Sequence, residues 1–167
     1  HPPQRHFDPR PKIDPGALFP GGQPRQRLGR HRHQRSIVHF GPLGPSGRLA
    51  WIEVADDVVA NLTDKEFWHP GEIALLTTKK RHPEHERQSN HDRIGHWDSL
   101  WTNEDVFYCT VGGFKGLERP VVVLAIDGFH DDADQDDVLY VGMSRARDKL
   151  VIVAEKSILD RIKDLSR

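Results

Sequence analysis

The sequence is nearly devoid of cysteine. Cys109 is the only one among 167 residues, which excludes an internal disulfide framework. Its place in the apolar run VFYCT predicts a buried small hydrophobe. No apolar run approaches the roughly 18 residues of a membrane span, and no charged segment leads into an apolar one as in a secretory signal. The expected setting is therefore the reducing cytoplasm, with no membrane partner. An excess of one charge is also missing: 24 Lys and Arg face 25 Asp and Glu, for a net charge of -1. Any nucleic-acid surface must then be local. Several signatures of chemistry are absent too. Without a G-x-x-x-x-G-K-[ST] loop, or an aspartate–glutamate pair at a strand end, nothing cradles a phosphate chain or holds magnesium. Ser144 lies outside any G-x-S-x-G elbow, so nucleophilic hydrolysis has no support. His82, His85, His91 and His96 crowd together with Glu84 and Glu86, but paired cysteines and an H-E-x-x-H pattern are lacking. That group reads as a solvated histidine-rich loop in preference to a zinc site, and no metal ligand set is expected.

What is present fits one ordinary domain with an irregular arm. Residues 1 to about 35 carry most of the prolines, as in HPPQRHFDPRPKIDP, and show no sustained apolar period. Such composition buries too little to offset ordering entropy, so 1–35 is expected to be a linker or extended arm. Its basic run from Arg25 to Arg35 reads as solvated linker or, alternatively, as a phosphate contact.

Regular signals begin at Ser36, and the domain is expected over 36–167. SIVHF reads as a strand, followed by the turn cluster GPLGPSG. Leu49, Ile52, Ala55, Val59 and Leu62 keep a helical spacing that predicts a helix over 48–62, with a strand over LAWIEV as the competing reading. IALLT at 73–77 is a short continuous apolar run, as in a buried parallel strand. Residues 79–104 read as an exposed loop leading into a short helix that groups Ile94, Trp97, Leu100 and Trp101. Trp97 and Trp101 suit a core or, less simply, a base-stacking platform. Three more strands are expected at 106–110, 120–126 and 149–154. Between the last two, DDVLYVGMSRARD predicts a helix capped by Asp136 or Asp137, with Val138, Leu139, Val141 and Gly142 facing a sheet. Alternating strands and helices imply an α/β fold with a parallel sheet flanked by helices.

Two stretches carry candidate chemistry: TVGGFKGLERPVVVL at 110–124 and LYVGMSRARDKLVIV at 139–153. The first is a glycine-containing loop before a buried strand, either a phosphate or ribose neighbour or simply a turn. The second puts Arg145 and Arg147 on one predicted helix, two residues apart and so on different faces. Each is either solvated and salt-bridged or able to fork onto phosphate oxygens.

Taken together, the stretches resemble the last motifs of UvrD/Rep-type superfamily 1 helicases: a T-x-x-x-x-K-G-L-E loop and, one βα unit later, Y-V-[AG]-x-[ST]-R-A-R. Thr110, Lys115, Gly116, Leu117 and Glu118 fill the first; Tyr140, Val141, Gly142, Ser144, Arg145, Ala146 and Arg147 fill the second. IALLT resembles the strand that opens the second RecA-like domain of these enzymes, so the resemblance spans about 36–155. It implies a RecA-like second lobe lacking its own phosphate loop, with ATP and Mg2+ held mainly by a first lobe outside this sequence. Arg145 would contact the γ-phosphate, with Glu118 and Gly116 beside the nucleotide. Thr110, Gly112 and Lys115 would couple that cleft to single-stranded DNA, with RNA as the other candidate strand. Tyr140 is expected in the core. Gly112 stands where many relatives have a histidine that holds the strand. The G-F-K-G-L-E-R-P form resembles a branch of bacterial helicase-like proteins, some joined to nuclease-related domains. The implied activity is ATP hydrolysis coupled to translocation and unwinding in the intact parent; the alternative is a non-catalytic interaction module that keeps the helicase fold.

Overall fold

A computed structural model describes residues 34–39, 50–131 and 134–165. All of them belong to one unit, His31–Arg167; the unit His1–Arg30 lies outside the described residues, and with it nearly all of the expected arm, its basic run and the turn cluster at 41–47.

Five strands, β1 (Gln34–His39), β2 (Ile73–Thr77), β3 (Phe107–Thr110), β4 (Arg119–Ala125) and β5 (Ala146–Ala154), form one sheet in the order β1-β5-β4-β2-β3. Every pairing is parallel. The central strands explain the continuous apolar runs of the sequence, because both faces of β2 and β4 are covered and successive residues are buried alike. At the edge of the sheet β3 alternates buried and half-buried residues instead.

One face carries α1 (Ala50–Asp64), whose Trp51, Ala55 and Leu62 pack on Ile73, Leu75, Val121, Val123 and Val151. The helical reading of this segment thus prevails over a strand at LAWIEV. The opposite face carries α3 (Arg93–Thr102), α4 (Gln135–Met143) and α5 (Lys156–Leu165), which contribute Leu100, Leu139, Leu159 and Ile162 to a core around Leu76, Leu124 and Ile152. Cys109 is buried there, as its sequence context predicts; burial pushes its thiol up to about 11.

Four expectations are corrected. Ahead of the expected short helix, which is α3, residues 79–104 carry a further helix, α2 (Pro83–His91), in place of an exposed loop. Pro83 starts α2, where its missing donor is harmless, and the Nδ1 of His82 accepts from the Glu84 amide. Three of the four histidines are accordingly not solvated: His82, His85 and His96 are buried, with His85 stacked on His96 and His96 on Phe107, while His91 is exposed. His82 stacks on Tyr108 and lies 3.0 Å through Nε2 from Asp56. Second, Tyr140 is 72% exposed, because Leu139 and Gly142 take the sheet-facing side of α4 and turn the tyrosine outward. Third, neither Asp136 nor Asp137 caps α4; both lie in its first turn, and Asp136 pairs with Arg161. Fourth, Arg145 and Arg147 are not helical. The helix stops at Met143, where the Ser144 and Arg145 amides fold back on Tyr140 and Gly142. Strand β5 then starts at Ala146, earlier than 149, because pairing with Arg119 recruits 146–148.

Candidate functional site

The register of β4 against β5 brings the two sequence stretches together. Arg119 is the partner of Ala146, and its amide donates to the Arg145 carbonyl at 3.1 Å. Glu118, exposed, and Arg145, half-buried, therefore stand side by side at the amino edge of the sheet. Arg145 folds its guanidinium back on the end of α4: Nε donates to the Val141 carbonyl at 3.0 Å and Nη2 to the Ser144 hydroxyl at 2.9 Å. These bonds aim the fork and leave Nη1 without a bond to any described residue. Arg147, in β5, is exposed.

The close approach of α4 to the sheet depends on Gly142. A Cβ there would lie 2.9 Å from Leu124 and 3.2 Å from Val111. Alanine would therefore push the helix, and the turn after it, off the sheet.

Thr110 lies at the other end. It pairs with Thr77, which also pairs with Ala125, so Thr110 stands level with the carboxyl end of β4. From there to Arg119 the chain descends roughly 20 Å along the strand direction. The K-G-L-E loop is thus itself the crossover between parallel strands. It starts in a turn, with the Gly113 amide donating to Thr110 Oγ1 at 3.2 Å and the Phe114 amide to the Thr110 carbonyl. Phe114 is fully buried and anchors its middle, while Gly112, Lys115, Gly116 and Glu118 are exposed. Gly116 has φ +84°, a conformation glycine adopts without strain. Gly112 is different: nothing lies within 4 Å of where a Cβ would stand, so packing does not require glycine there.

Sequence reading missed the loop that stands beside Thr110. The carboxylate of Asp127 accepts from the amides of Thr78 (3.2 Å), Lys79 (3.0 Å) and Lys80 (2.6 Å). Thr78 Oγ1 donates to the Gly128 carbonyl, and the His130 ring meets the Lys79 carbonyl at 3.1 Å. One carboxylate thereby fixes a turn that presents the exposed side chains of Lys79, Lys80 and Arg81 at the carboxyl edge. The signal was available as T-T-K-K-R directly after a buried strand, but its organiser lies 47 to 49 residues downstream.

A cleft of about 200 Å³ opens beside the S-R-A-R turn, lined by Arg35, Ser144, Ala146 and Asp148 among others. A ligand pocket usually has about 300 Å³ or more, so this cleft by itself is smaller than a typical ligand site. The clefts beside α1, about 510 and 630 Å³, contain no residue of either motif. Among the described residues no group of three or more His, Cys, Asp or Glu could hold a metal ion, and no helix is long and apolar enough to cross a membrane. The donors present fit the outer oxygens of a triphosphate and do not fit magnesium.

No curated protein matches the chain. Residues 105–153 match the family model of the UvrD-like helicase C-terminal domain. That interval holds β3, the crossover loop, β4, α4 and nearly all of β5. The likeness to UvrD-like helicase C-terminal domains thus covers both motif stretches, 110–124 and 139–153.

Proposed function

We propose that the chain is the second motor lobe of a superfamily 1 helicase, completing an ATP site built mainly by a first lobe and coupling hydrolysis to movement along single-stranded DNA. The observation that carries this reading is the Arg119–Arg145 backbone bond, which holds Glu118 and Arg145 on one edge although 27 positions separate them. That edge is the amino one. Parallel α/β sheets hold their own ligands at the carboxyl ends of their strands, so a site at the opposite edge suits a surface that closes over a nucleotide held elsewhere.

In this reading Arg145 offers Nη1 to the γ-phosphate as water attacks phosphorus and the bond to the β–γ bridging oxygen breaks. Its fixed charge offsets the negative charge gathering on the transferred group, an effect worth about 10³ to 10⁵ in rate for such arginines. Glu118 accepts a ribose hydroxyl. Magnesium, bound by the first lobe, supplies further charge neutralisation. The single strand passes the carboxyl edge, where Thr110, Gly112, Lys79, Lys80 and Arg81 lie, and the crossover loop joins the two edges mechanically. Phosphate contacts by these cations predict salt-sensitive strand binding.

The test is single-strand-stimulated ATPase activity of the chain alone and joined to the lobe that holds ATP. Turnover only in the joined form is expected. Turnover in neither form would favour the non-catalytic interaction module.

A further inference from the structure

Arg119 directly follows Glu118, and neither motif assigns it a role. It is buried, 7% exposed, at the mouth of a strand otherwise made of Pro, Val, Leu and Ala. Its side chain runs to the end of α3: Nη2 donates to the Leu100 carbonyl at 2.5 Å and Nη1 to Oδ1 of Asn103. Its own amide donates to the Arg145 carbonyl. Three separate segments thus meet on one residue: the end of the crossover loop, the turn bearing Arg145, and the carboxyl end of α3.

The contacts are of kinds that an apolar plug cannot make. The last carbonyls of a helix lack intrahelical donors and carry partial negative charge, so a guanidinium there satisfies an orphan acceptor and meets the helix dipole favourably. Asn103 is held in the left-handed conformation (φ 54°), and its backbone carbonyl crowds Gly71, where a Cβ would stand 1.7 Å from the oxygen. The receiving end is therefore itself rigid. A planar fork bonded to a carbonyl and an amide oxygen fixes orientation, which a lysine's single ammonium does not. The arrangement is also demanding. Arg119 Nε is buried without a hydrogen-bond partner, and the nearby Arg147 adds a like charge.

We propose that Arg119 is a positioning residue: by tying α3 to the β4–β5 register it holds Glu118 and Arg145 in the mutual placement that a nucleotide meets. The hold on the two segments stands by itself, and its consequence for a nucleotide rests on the motor-lobe reading. Arg119 touches neither nucleotide nor strand; its effect passes through its neighbours.

Amide hydrogen exchange on the chain itself reads the hold without ATP. Arg119→Lys and Arg119→Gln are expected to speed exchange about tenfold at the Arg119 amide and at residues 144–146, with β2 and the buried half of β5 unchanged. Asn103→Ala should give the same local pattern more weakly. Unchanged exchange, or equal acceleration across the whole sheet, would overturn the proposal, the latter by showing ordinary loss of stability. In the joined two-lobe protein the same variants should raise the KM for ATP about tenfold, with the lysine form partly rescued. Local loosening with an unaltered KM would sever Arg119 from the nucleotide. A wild-type joined protein without turnover would instead defeat the motor-lobe reading and leave the exchange result standing.

Discussion

The two edges of the sheet are built on different principles. At the amino edge, side chains are displayed from backbone that is already paired: the Arg119 amide bonds the Arg145 carbonyl, and the helix end holds the guanidinium. At the carboxyl edge, the presenting backbone is a turn whose amides converge on one carboxylate, Asp127. The first edge rests on main-chain pairing braced by Arg119 and on the close packing at Gly142, whereas the second rests on one anion. In the proposed motor lobe the register would aim the Arg145 charge, and the carboxylate-held turn would face the strand.

The largest effect expected is at the amino edge. Arg145→Ala in the joined protein should lower ATP turnover about 10³-fold or more while nucleotide binding, measured by equilibrium titration, is largely kept. Turnover within a factor of a few of wild type would take Arg145 out of the site.

Acid probes the layer that links the edges, since α2 leaves the carboxyl edge and α3 ends at the amino one. Burial first, then the charges of His96, Arg81 and His82, lower the His85 pKa from 6.5 to about 4. Burial and Arg81 lower that of His96 as well. In the unfolded chain both bind protons near pH 6.5, so between the two values the unfolded state takes up more protons. Stability is then full above about pH 6.5 and declines towards pH 4, by on the order of 3 kcal/mol for His85 at about 1.4 kcal/mol per unit. Urea midpoints at pH 7.5 and 4.5 measure it, and His85→Phe, which keeps a stacked ring, should flatten the slope. An unaltered slope in that variant would assign the acid sensitivity to other groups.

Asp127→Ala should cost about 2 kcal/mol, the loss of three charge-assisted amide bonds partly replaced by water. It should weaken strand binding and leave ATP affinity alone, because Lys79 and Lys80 lose their fixed turn while the amino edge is untouched. Equal loss at both edges would show that the contrast between them is mistaken. The smallest effect belongs to Gly112→His. Open space at that position predicts a change in stability within about 0.5 kcal/mol. Strand binding should tighten by about 1 kcal/mol, from stacking by the new ring. Oligo-dT titrations with either outcome decide whether Gly112 borders the track.

Apolar runs made β2 and β4 legible in the sequence, because a strand buried on both faces has no other way to be written. The motif residues were legible through their order and types, and the β4–β5 register unites their ends. What escaped reading depends on distant partners. α2 was hidden because His82, His85 and His96 look polar, yet His82 stacks on Tyr108, His96 on Phe107 and His85 on His96, which takes them inside. Helical spacing carried DDVLYVG past its true end, since only pairing with Arg119 shows that the SRAR segment turns from helix into strand. Tyr140 was misplaced by hydropathy alone, whereas its neighbours Leu139 and Gly142 fix the buried side. Asp127 and Arg119 act across 47 to 49 and 16 to 19 residues, distances at which local pattern carries no signal.

The buried thiol of Cys109 has a practical consequence. At 2% exposure, and with a pKa near 11, it is almost wholly protonated and out of reach of maleimides at neutral pH. It is the chain's sole cysteine. A fluorophore can therefore be attached to a single cysteine introduced at either edge without removing the native one, and binding of a molecule at that edge read from its emission.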